Sequence, residues 1–190
     1  MTTTDTTYRQ EGYVAVDSAE LWYVQQGRGP DVLLIAGLSD PAEAWDAQLH
    51  GLSQHHRVTA FDNRGAGRSP MPPEGFTVED MADDTAALVR ALGLGPVHVA
   101  GFSGGSVTAQ HLALRHPQLV RSLVLQSTWA RWDGYVEALV RFLTWLPEVA
   151  PSERDMLEAF FLWIYTPRAH VDGTVAQIID EALAFPHPQP

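Results

Sequence analysis

The sequence contains no cysteine and no lysine. The absence of cysteine excludes disulfide bonds, thiolate metal sites and cysteine nucleophiles. All 12 basic residues are arginines, the acidic residues number 23, and the formal net charge is −11. Because no run of basic residues interrupts this acidity, binding to nucleic acid or to an anionic membrane is not expected.

Long apolar segments are also missing. The longest apolar stretches fall well short of the ~20 residues that a membrane-spanning helix needs. The N-terminal segment is neither basic nor apolar, so no secretory signal is expected and a cytoplasmic location is predicted. No phosphate loop, dinucleotide fingerprint or zinc spacing is present, which predicts that the protein uses no cofactor and no metal.

Strand-like and helix-like patterns alternate through the first two thirds of the chain. Alternating segments on either side of the turn-like Asp17-Ser18 predict an antiparallel hairpin. Apolar runs typical of buried parallel strands then alternate with amphipathic segments. Strands are predicted at 12–16, 20–25, 32–36, 57–61, 96–100 and 120–125, and helices at 41–54, from 77 onward and at 105–115. This order predicts an α/β fold with a mainly parallel sheet and helices on both faces.

The pattern becomes purely helical after Thr128. Helices are predicted at 132–146, 152–165 and 174–185, with prolines at 147, 151 and 167 separating them. No strand pattern returns, so the last strands of such a sheet are absent, and residues 187–190 resemble a truncated linker.

One motif carries the chemistry: Gly101-Phe102-Ser103-Gly104-Gly105 matches G-x-S-x-G. A predicted strand leads directly into it and a predicted helix leads directly out. A sharp turn of this kind strains the serine, requires glycine neighbours and exposes the serine hydroxyl at the carboxyl end of the sheet. The Gly104 N–H is then expected to face the position where a tetrahedral oxyanion forms.

With this motif in place, the segment from Gly12 to Thr128 resembles the first part of an α/β-hydrolase of the small esterase and lactonase type. Three further segments match the pattern of that family. They are Ile35-Ala36-Gly37-Leu38 followed by Trp45, the loop from Phe61 to Ser69, and the helix over 80–94. Ala36 stands where the family often has histidine, a departure that leaves the backbone N–H donor of the loop in place.

The resemblance implies a role for each matching residue. Ser103 is the nucleophile, the backbone N–H groups of Leu38 and Gly104 form the oxyanion hole, and Asp62 and Arg64 brace their loop. The remaining elbow residues are Gly101, Phe102 and Gly105. Residues 1–128 correspond to the hydrolase core and 129–186 to a helical cap.

The catalytic acid and histidine cannot be assigned. In this fold they follow the serine in the chain, in that order, and the resemblance implies that both lie beyond the last residue here. His98 is expected to pack under a helix, and His111 lies ~12 Å along the helix that follows Ser103, too far for a direct hydrogen bond. Asp133 is the nearest acid, with a solvated position as the alternative. Structural positions are predicted for His50, His55, His56, His116, His170 and His187.

The predicted function is hydrolysis of a carboxylic ester or lactone through an acyl-enzyme. Aromatic residues concentrate after Thr128, which favours a small apolar substrate. Several alternatives stay open: a carbon–carbon hydrolase, a thioesterase, a haloperoxidase-like enzyme, a non-catalytic receptor for a small molecule, or an inactive scaffold.

A partner is also expected. The strand at 120–125 would leave an apolar edge open, so a second chain carrying the C-terminal part, or a homo-oligomer, is predicted. Without its base the serine is a weak nucleophile, and the 190-residue chain alone is expected to be nearly inactive.

Overall fold

The computed structural model describes residues 8–17 and 19–187. The chain divides into two compact units, the first ending at Ala130 and the second beginning at Arg131. This division falls two residues after the predicted end of the core.

The first unit is built on a six-stranded sheet with the spatial order β1-β2-β4-β3-β5-β6. The strands are β1 Arg9–Val16, β2 Ala19–Gln26, β3 Asp31–Ile35, β4 Arg57–Phe61, β5 Val97–Phe102 and β6 Val120–Gln126. β1 and β2 form the predicted antiparallel hairpin, β2 pairs antiparallel with β4, and the remaining pairs are parallel. The predicted α/β fold with a mainly parallel sheet is therefore confirmed, while Ser18 of the hairpin turn lies outside the described residues.

Three α-helices flank the sheet: α1 Asp46–Leu52, α2 Val78–Ala91 and α3 Gly104–Arg115. The prediction of one helix over 41–54 was wrong in detail, because a short 3-10 helix over Ala42–Trp45 precedes α1. The predicted start of α2 is confirmed by a capping box. The Thr77 side chain accepts the Asp80 N–H, and the Asp80 carboxylate accepts the Thr77 N–H at 2.8 Å.

Alternate residues of β3 face two separate hydrophobic clusters, one on each face of the sheet. Leu33 and Ile35 pack with residues of α2 and α3, whereas Val32 and Leu34 pack with the 3-10 helix and α1. All four side chains are buried. A strand with both faces covered explains the unbroken apolar run in the sequence.

One long side of the sheet is poorly covered. Among the described residues β6 pairs only with β5, and every residue from Arg121 to Gln126 is exposed. The exposed fractions of Val124 and Leu125 reach 53% and 36%. A parallel strand in a packed sheet is normally buried on both faces, so β6 has the sequence of an inner strand in the position of an edge.

The second unit consists of α4 Gly134–Val149, α5 Glu153–Phe161, α6 Pro167–Val171 and α7 Thr174–Ala184. Pro147 was predicted to end the first of these helices, but α4 continues through it to Val149. A proline this near the end of a helix removes only one of the last hydrogen bonds. α6 was not predicted, and the helix predicted over 152–165 ends at Phe161. Of the predicted linker, 188–190 lie outside the described residues.

Within the described ranges, no helix combines the length and apolarity needed to traverse a bilayer.

Candidate active site

Ser103 occupies the single residue between β5 and α3 and has a left-handed backbone, with φ 52° and ψ −123°. Residues other than glycine rarely adopt such angles, and their occurrence marks a position held by its surroundings. The Ser103 N–H donates to the Gln126 carbonyl at 3.0 Å, and its carbonyl accepts the Ser106 N–H at 2.9 Å and the Ser106 hydroxyl at 2.5 Å. The backbone on both sides of the serine is thus fixed to β6 and to the first turn of α3.

The two outer glycines of the motif are required by close backbone packing. A Cβ on Gly101 would lie 2.4 Å from the Gly105 carbonyl oxygen. A Cβ on Gly105 would lie 2.2 Å from the Ala36 carbonyl oxygen and 2.3 Å from that of Ile35. The start of α3 therefore rests directly on the end of β3, which brings the serine next to the loop that follows β3.

That loop begins with a tight turn over residues 37–40. The Asp40 N–H donates to the Gly37 carbonyl at 3.3 Å, and Ser39 at the third position has φ 63°. Leu38 is the second residue of the turn, and its N–H finds no acceptor within the part of the chain that is described. The Leu38 nitrogen lies 3.3 Å from the position of a Cβ on Gly104.

The two predicted oxyanion donors are therefore neighbours. The Gly104 N–H belongs to the first turn of α3, where backbone donors have no partner within the helix. The direction of these N–H groups relative to the Ser103 hydroxyl, and the catalytic roles of all the predicted site residues, stay predictions.

Asp40 contributes a carboxyl group to the same turn, a feature that the sequence reasoning did not single out. Burial raises the pKa of Asp40 to about 6, an effect opposed by the hydrogen bond that its carboxylate accepts from the Gly37 N–H. The available signal was an aspartate two residues after the proposed donor Leu38.

The loop after β4 is braced by Asp62, as predicted. Its carboxylate is fully buried and accepts the Ala42 N–H and the Arg68 N–H, each at 2.7 Å. A Cβ on Gly67 would lie 2.3 Å from Asp62 Oδ2. Burial raises the pKa of Asp62, while these two backbone hydrogen bonds lower it.

Arginines complete the bracing of this loop. Arg64 pairs with Asp84 of α2 at 2.5 Å, which confirms its predicted structural contact. Arg68 pairs with Glu43 at 2.5 Å and stacks 3.9 Å above the ring of Trp22.

A cavity of about 240 Å³ lies between the turn over 37–40 and the loop after β4. Its lining is mainly apolar and consists of Gly37, Leu38, Ser39, Asn63, Arg64, Gly65, Ala66, Met71, Phe76 and Met81. The proposed oxyanion donor Leu38 thus forms part of the wall of a small apolar cavity.

Three histidines of the first unit have partners other than Ser103. His98 was expected to pack under a helix, but it is half-buried and its Nδ1 lies 2.7 Å from the Ser122 hydroxyl, because the register of β5 against β6 pairs these two residues. His111 lies 3.4 Å from Glu79, and His116 lies 2.7 Å from Asp83. None of these contacts places a histidine at Ser103.

In the second unit, Asp133 caps α4 by accepting the N–H groups of Tyr135 and Val136 at 3.0 and 3.1 Å. This helix-capping role accounts for the carboxylate without a catalytic function. Within the described residues, no cluster of three or more potential metal ligands occurs.

Comparison with known proteins places this geometry in context. The sequence pattern of the alpha/beta hydrolase fold matches residues 30–155. A protein of Azorhizobium caulinodans named "Putative carbamate hydrolase RutD" is 32% identical over 179 residues, which cover 92% of this chain and 66% of that protein. A protein of the same name from Caulobacter segnis is 38% identical over 108 residues, which cover 56% of this chain and 40% of that protein. The chain thus spans less than two thirds of the curated relatives that it matches.

Two solved structures are similar over most of the chain. A hydrolase from Pseudomonas aeruginosa PA01 has a TM-score of 0.73 at 28% identity, covering 94% of this chain and 68% of its own. The enol-lactonase from Burkholderia xenovorans LB400 has a TM-score of 0.74 at 26% identity, covering 89% and 66%.

Proposed function

Because the chain belongs to the alpha/beta hydrolase fold family, we propose that it is the nucleophile-bearing part of a serine hydrolase that cleaves a carboxylic ester or lactone. The observation that carries the proposal is the strained backbone of Ser103, with φ 52°, between β5 and α3. A serine is held in such a conformation only at a cost in stability, and such costs concentrate at functional sites.

The proposed reaction has two steps. The Ser103 oxygen bonds to the substrate carbonyl carbon, the bond from that carbon to the leaving oxygen breaks, and the serine proton passes through a base to the leaving alcohol. Water then adds to the acyl-enzyme and releases the acid and the free serine. The N–H groups of Leu38 and Gly104 stabilise the oxyanion in both steps, and removal of one such donor costs roughly 10²–10³ in kcat.

Two features support the proposed substrate, one its apolar character and the other its lactone group. The cavity of about 240 Å³ beside Leu38 is lined mainly by apolar groups, among them Met71 and Phe76. The name of the Burkholderia xenovorans structure refers to a lactone substrate. The names of the RutD relatives favour a second candidate, a carbamate, whose carbonyl carbon is open to the same attack.

The general base and its acid are proposed to come from a segment that pairs with β6, either later in a longer chain or in a second chain. The exposed apolar residues of β6 support this proposal. Val124→Lys should then abolish self-association of the isolated chain, measured by sedimentation velocity, because a charge at the edge opposes strand pairing. A parent chain that remains monomeric at high concentration would argue against the open edge.

The function is tested by assaying complete enzyme, carrying the segment that pairs with β6, on p-nitrophenyl butyrate, a small lactone and an alkyl carbamate. Ser103→Ala should lower kcat by roughly 10⁶, as in other serine hydrolases. The control Ser53→Ala removes a hydroxyl bonded to the His50 carbonyl and should leave kcat within about threefold. Stoichiometric ligand binding without turnover would replace the enzyme with a receptor.

A further inference from the structure

Asp40 is a carboxylate without a compensating charge. It is half-buried, and among residues 8–17 and 19–187 no cation lies within 4.0 Å of it. Glu43, on the 3-10 helix that follows, is engaged with Arg68, and Asp62 on the neighbouring loop accepts backbone N–H groups. Burial raises the pKa of Asp40 to about 6, so above that pH the fold carries an ionised group that it disfavours.

The contacts of Asp40 converge on one residue, Gly37. The Asp40 N–H donates to the Gly37 carbonyl at 3.3 Å, and hydrogen bonding by the Gly37 backbone lowers the pKa of the Asp40 carboxyl against the larger effect of burial. Asp40 Oδ2 lies 2.5 Å from the position that a Cβ on Gly37 would occupy. The carboxylate therefore fits against the turn only because residue 37 has no side chain, and the Asp40 backbone N–H closes the turn.

The turn that they close is strained. Ser39 has φ 63°, an arrangement that favours glycine at the third position of a turn. A turn of this type leaves the N–H of its second residue outside the closing hydrogen bond. That residue is Leu38, whose nitrogen lies beside Gly104.

We propose that Asp40 is a positioning residue whose carboxylate, by accepting the Gly37 N–H, holds the turn over 37–40 in the conformation that presents the Leu38 N–H beside Gly104. The inference rests on the proposed function in that it takes the Leu38 N–H as an oxyanion donor. An asparagine offers the same acceptor through its side-chain carbonyl, whereas alanine offers none. The acceptor, rather than the charge, is the required feature.

The first test follows the backbone amides of the 190-residue chain by ¹⁵N NMR. In the parent the Gly37 amide should titrate with a midpoint near pH 6, and Asp40→Asn should remove that titration while leaving the Leu38 amide close to its parent position. Asp40→Ala should displace the Gly37 and Leu38 amides together. The control Asp46→Asn removes a charge from the same segment, on α1, and should preserve the titration.

The inference is overturned if the Leu38 amide keeps its position in Asp40→Ala, or if Asp40→Asn displaces it as much as Asp40→Ala does. It is equally overturned if the Gly37 amide of the parent does not respond to pH between 4 and 8. This last measurement needs no variant and stands even where Asp40→Ala fails to fold.

The second test uses complete enzyme. Asp40→Ala should lower kcat by about 10–100-fold with KM within about threefold. A misplaced N–H donor stabilises the transition state less, whereas substrate binding does not depend on it. Asp40→Asn should restore kcat to within about threefold of the parent. A rise in KM with kcat unchanged in Asp40→Ala would contradict the inference. Failure of Asp40→Asn to restore kcat would contradict it as well. Persistence of activity in Ser103→Ala would instead refute the proposed function and leave the amide results intact.

Discussion

The loops after β4 and β5 begin at the same edge of the sheet, since both strands run parallel to β3, but they use their polar groups in opposite ways. In the loop after β4, the buried Asp62 accepts two backbone N–H groups, and the Ser69 hydroxyl both accepts the Trp22 N–H and donates to the Asp62 carbonyl. In the turn after β5, Ser103 is strained, and it is followed by helix-start donors without partners in the helix.

The difference separates a loop that satisfies its own polar groups from a turn whose proposed role is catalytic. A loop that satisfies its buried polar groups adds to stability, because each unsatisfied group would cost ~1–3 kcal/mol. A turn that stores strain and leaves donors unused lowers stability and keeps those donors for a ligand. The comparison can be tested by substituting residues in both loops and measuring the change in the free energy of unfolding.

The largest effect is expected where the turn after β5 packs on β3. Gly105→Ala should lower the free energy of unfolding by about 3–5 kcal/mol, because its Cβ would overlap the Ala36 carbonyl, which is backbone and cannot move aside. The matched control is Gly51→Ala in α1, where a Cβ meets nothing within 4 Å. That change should stabilise the helix by about 0.5–1 kcal/mol. Urea unfolding followed by tryptophan fluorescence measures both; equal effects would contradict the packing argument.

The loop after β4 should be next. Asp62→Ala should cost about 3 kcal/mol, because it leaves the N–H groups of Ala42 and Arg68 buried without their acceptor. Asp83→Ala is the control, since Asp83 is 43% exposed in its pairs with Arg115 and His116 and should contribute less than about 1 kcal/mol. A loss below about 1 kcal/mol for Asp62→Ala, by the same urea unfolding, would show that the loop does not depend on this brace.

The loop after β4 and the turn after β5 also show which structural features could be predicted from the sequence. The motif Gly101 to Gly105 and the apolar strand before it were enough to predict a strand, a sharp turn and a helix, since each pattern has a local cause. The brace at Asp62 followed from the resemblance of its loop to a family pattern. The parallel order of the sheet followed from the alternation of strands and helices.

Other features depend on contacts between distant segments and could not be read from the sequence. The interaction of His98 with Ser122 depends on the register of β5 against β6. The continuation of α4 through Pro147 depends on where the helix ends, which a proline alone does not fix. The turn folds the Asp40 carboxylate back onto Gly37, and neither hydrophobic periodicity nor a sequence motif indicates that contact.

A pH-dependent effect is expected at Asp40. Its pKa in the fold, about 6, exceeds the ordinary value of 3.8, so the folded chain holds the proton more tightly than the unfolded chain. The corresponding stability is fully present below pH 3.8 and is lost as the pH rises through about 6. Asp40→Asn does not titrate and should therefore exceed the parent in stability by about 3 kcal/mol at pH 7.5, with the difference falling below about 1 kcal/mol near pH 4.

Thermal or urea unfolding at the two pH values measures this difference, with Glu74→Gln at an exposed position as the control. A constant difference between parent and Asp40→Asn across the range would show that the ionisation of Asp40 is not coupled to folding. A gain in stability combined with rescued kcat would show that the charge itself is dispensable.

The smallest expected effect separates backbone strain from chemistry at Ser103, the proposed nucleophile. Ser103→Gly should raise the free energy of unfolding by about 1 kcal/mol, because glycine adopts φ 52° without steric cost, whereas Ser103→Ala should leave it nearly unchanged. Both variants remove the hydroxyl and should abolish turnover equally in complete enzyme. If glycine and alanine gave the same stability, the turn after β5 would not be strained, and the contrast with the loop after β4 would reduce to its hydrogen bonds.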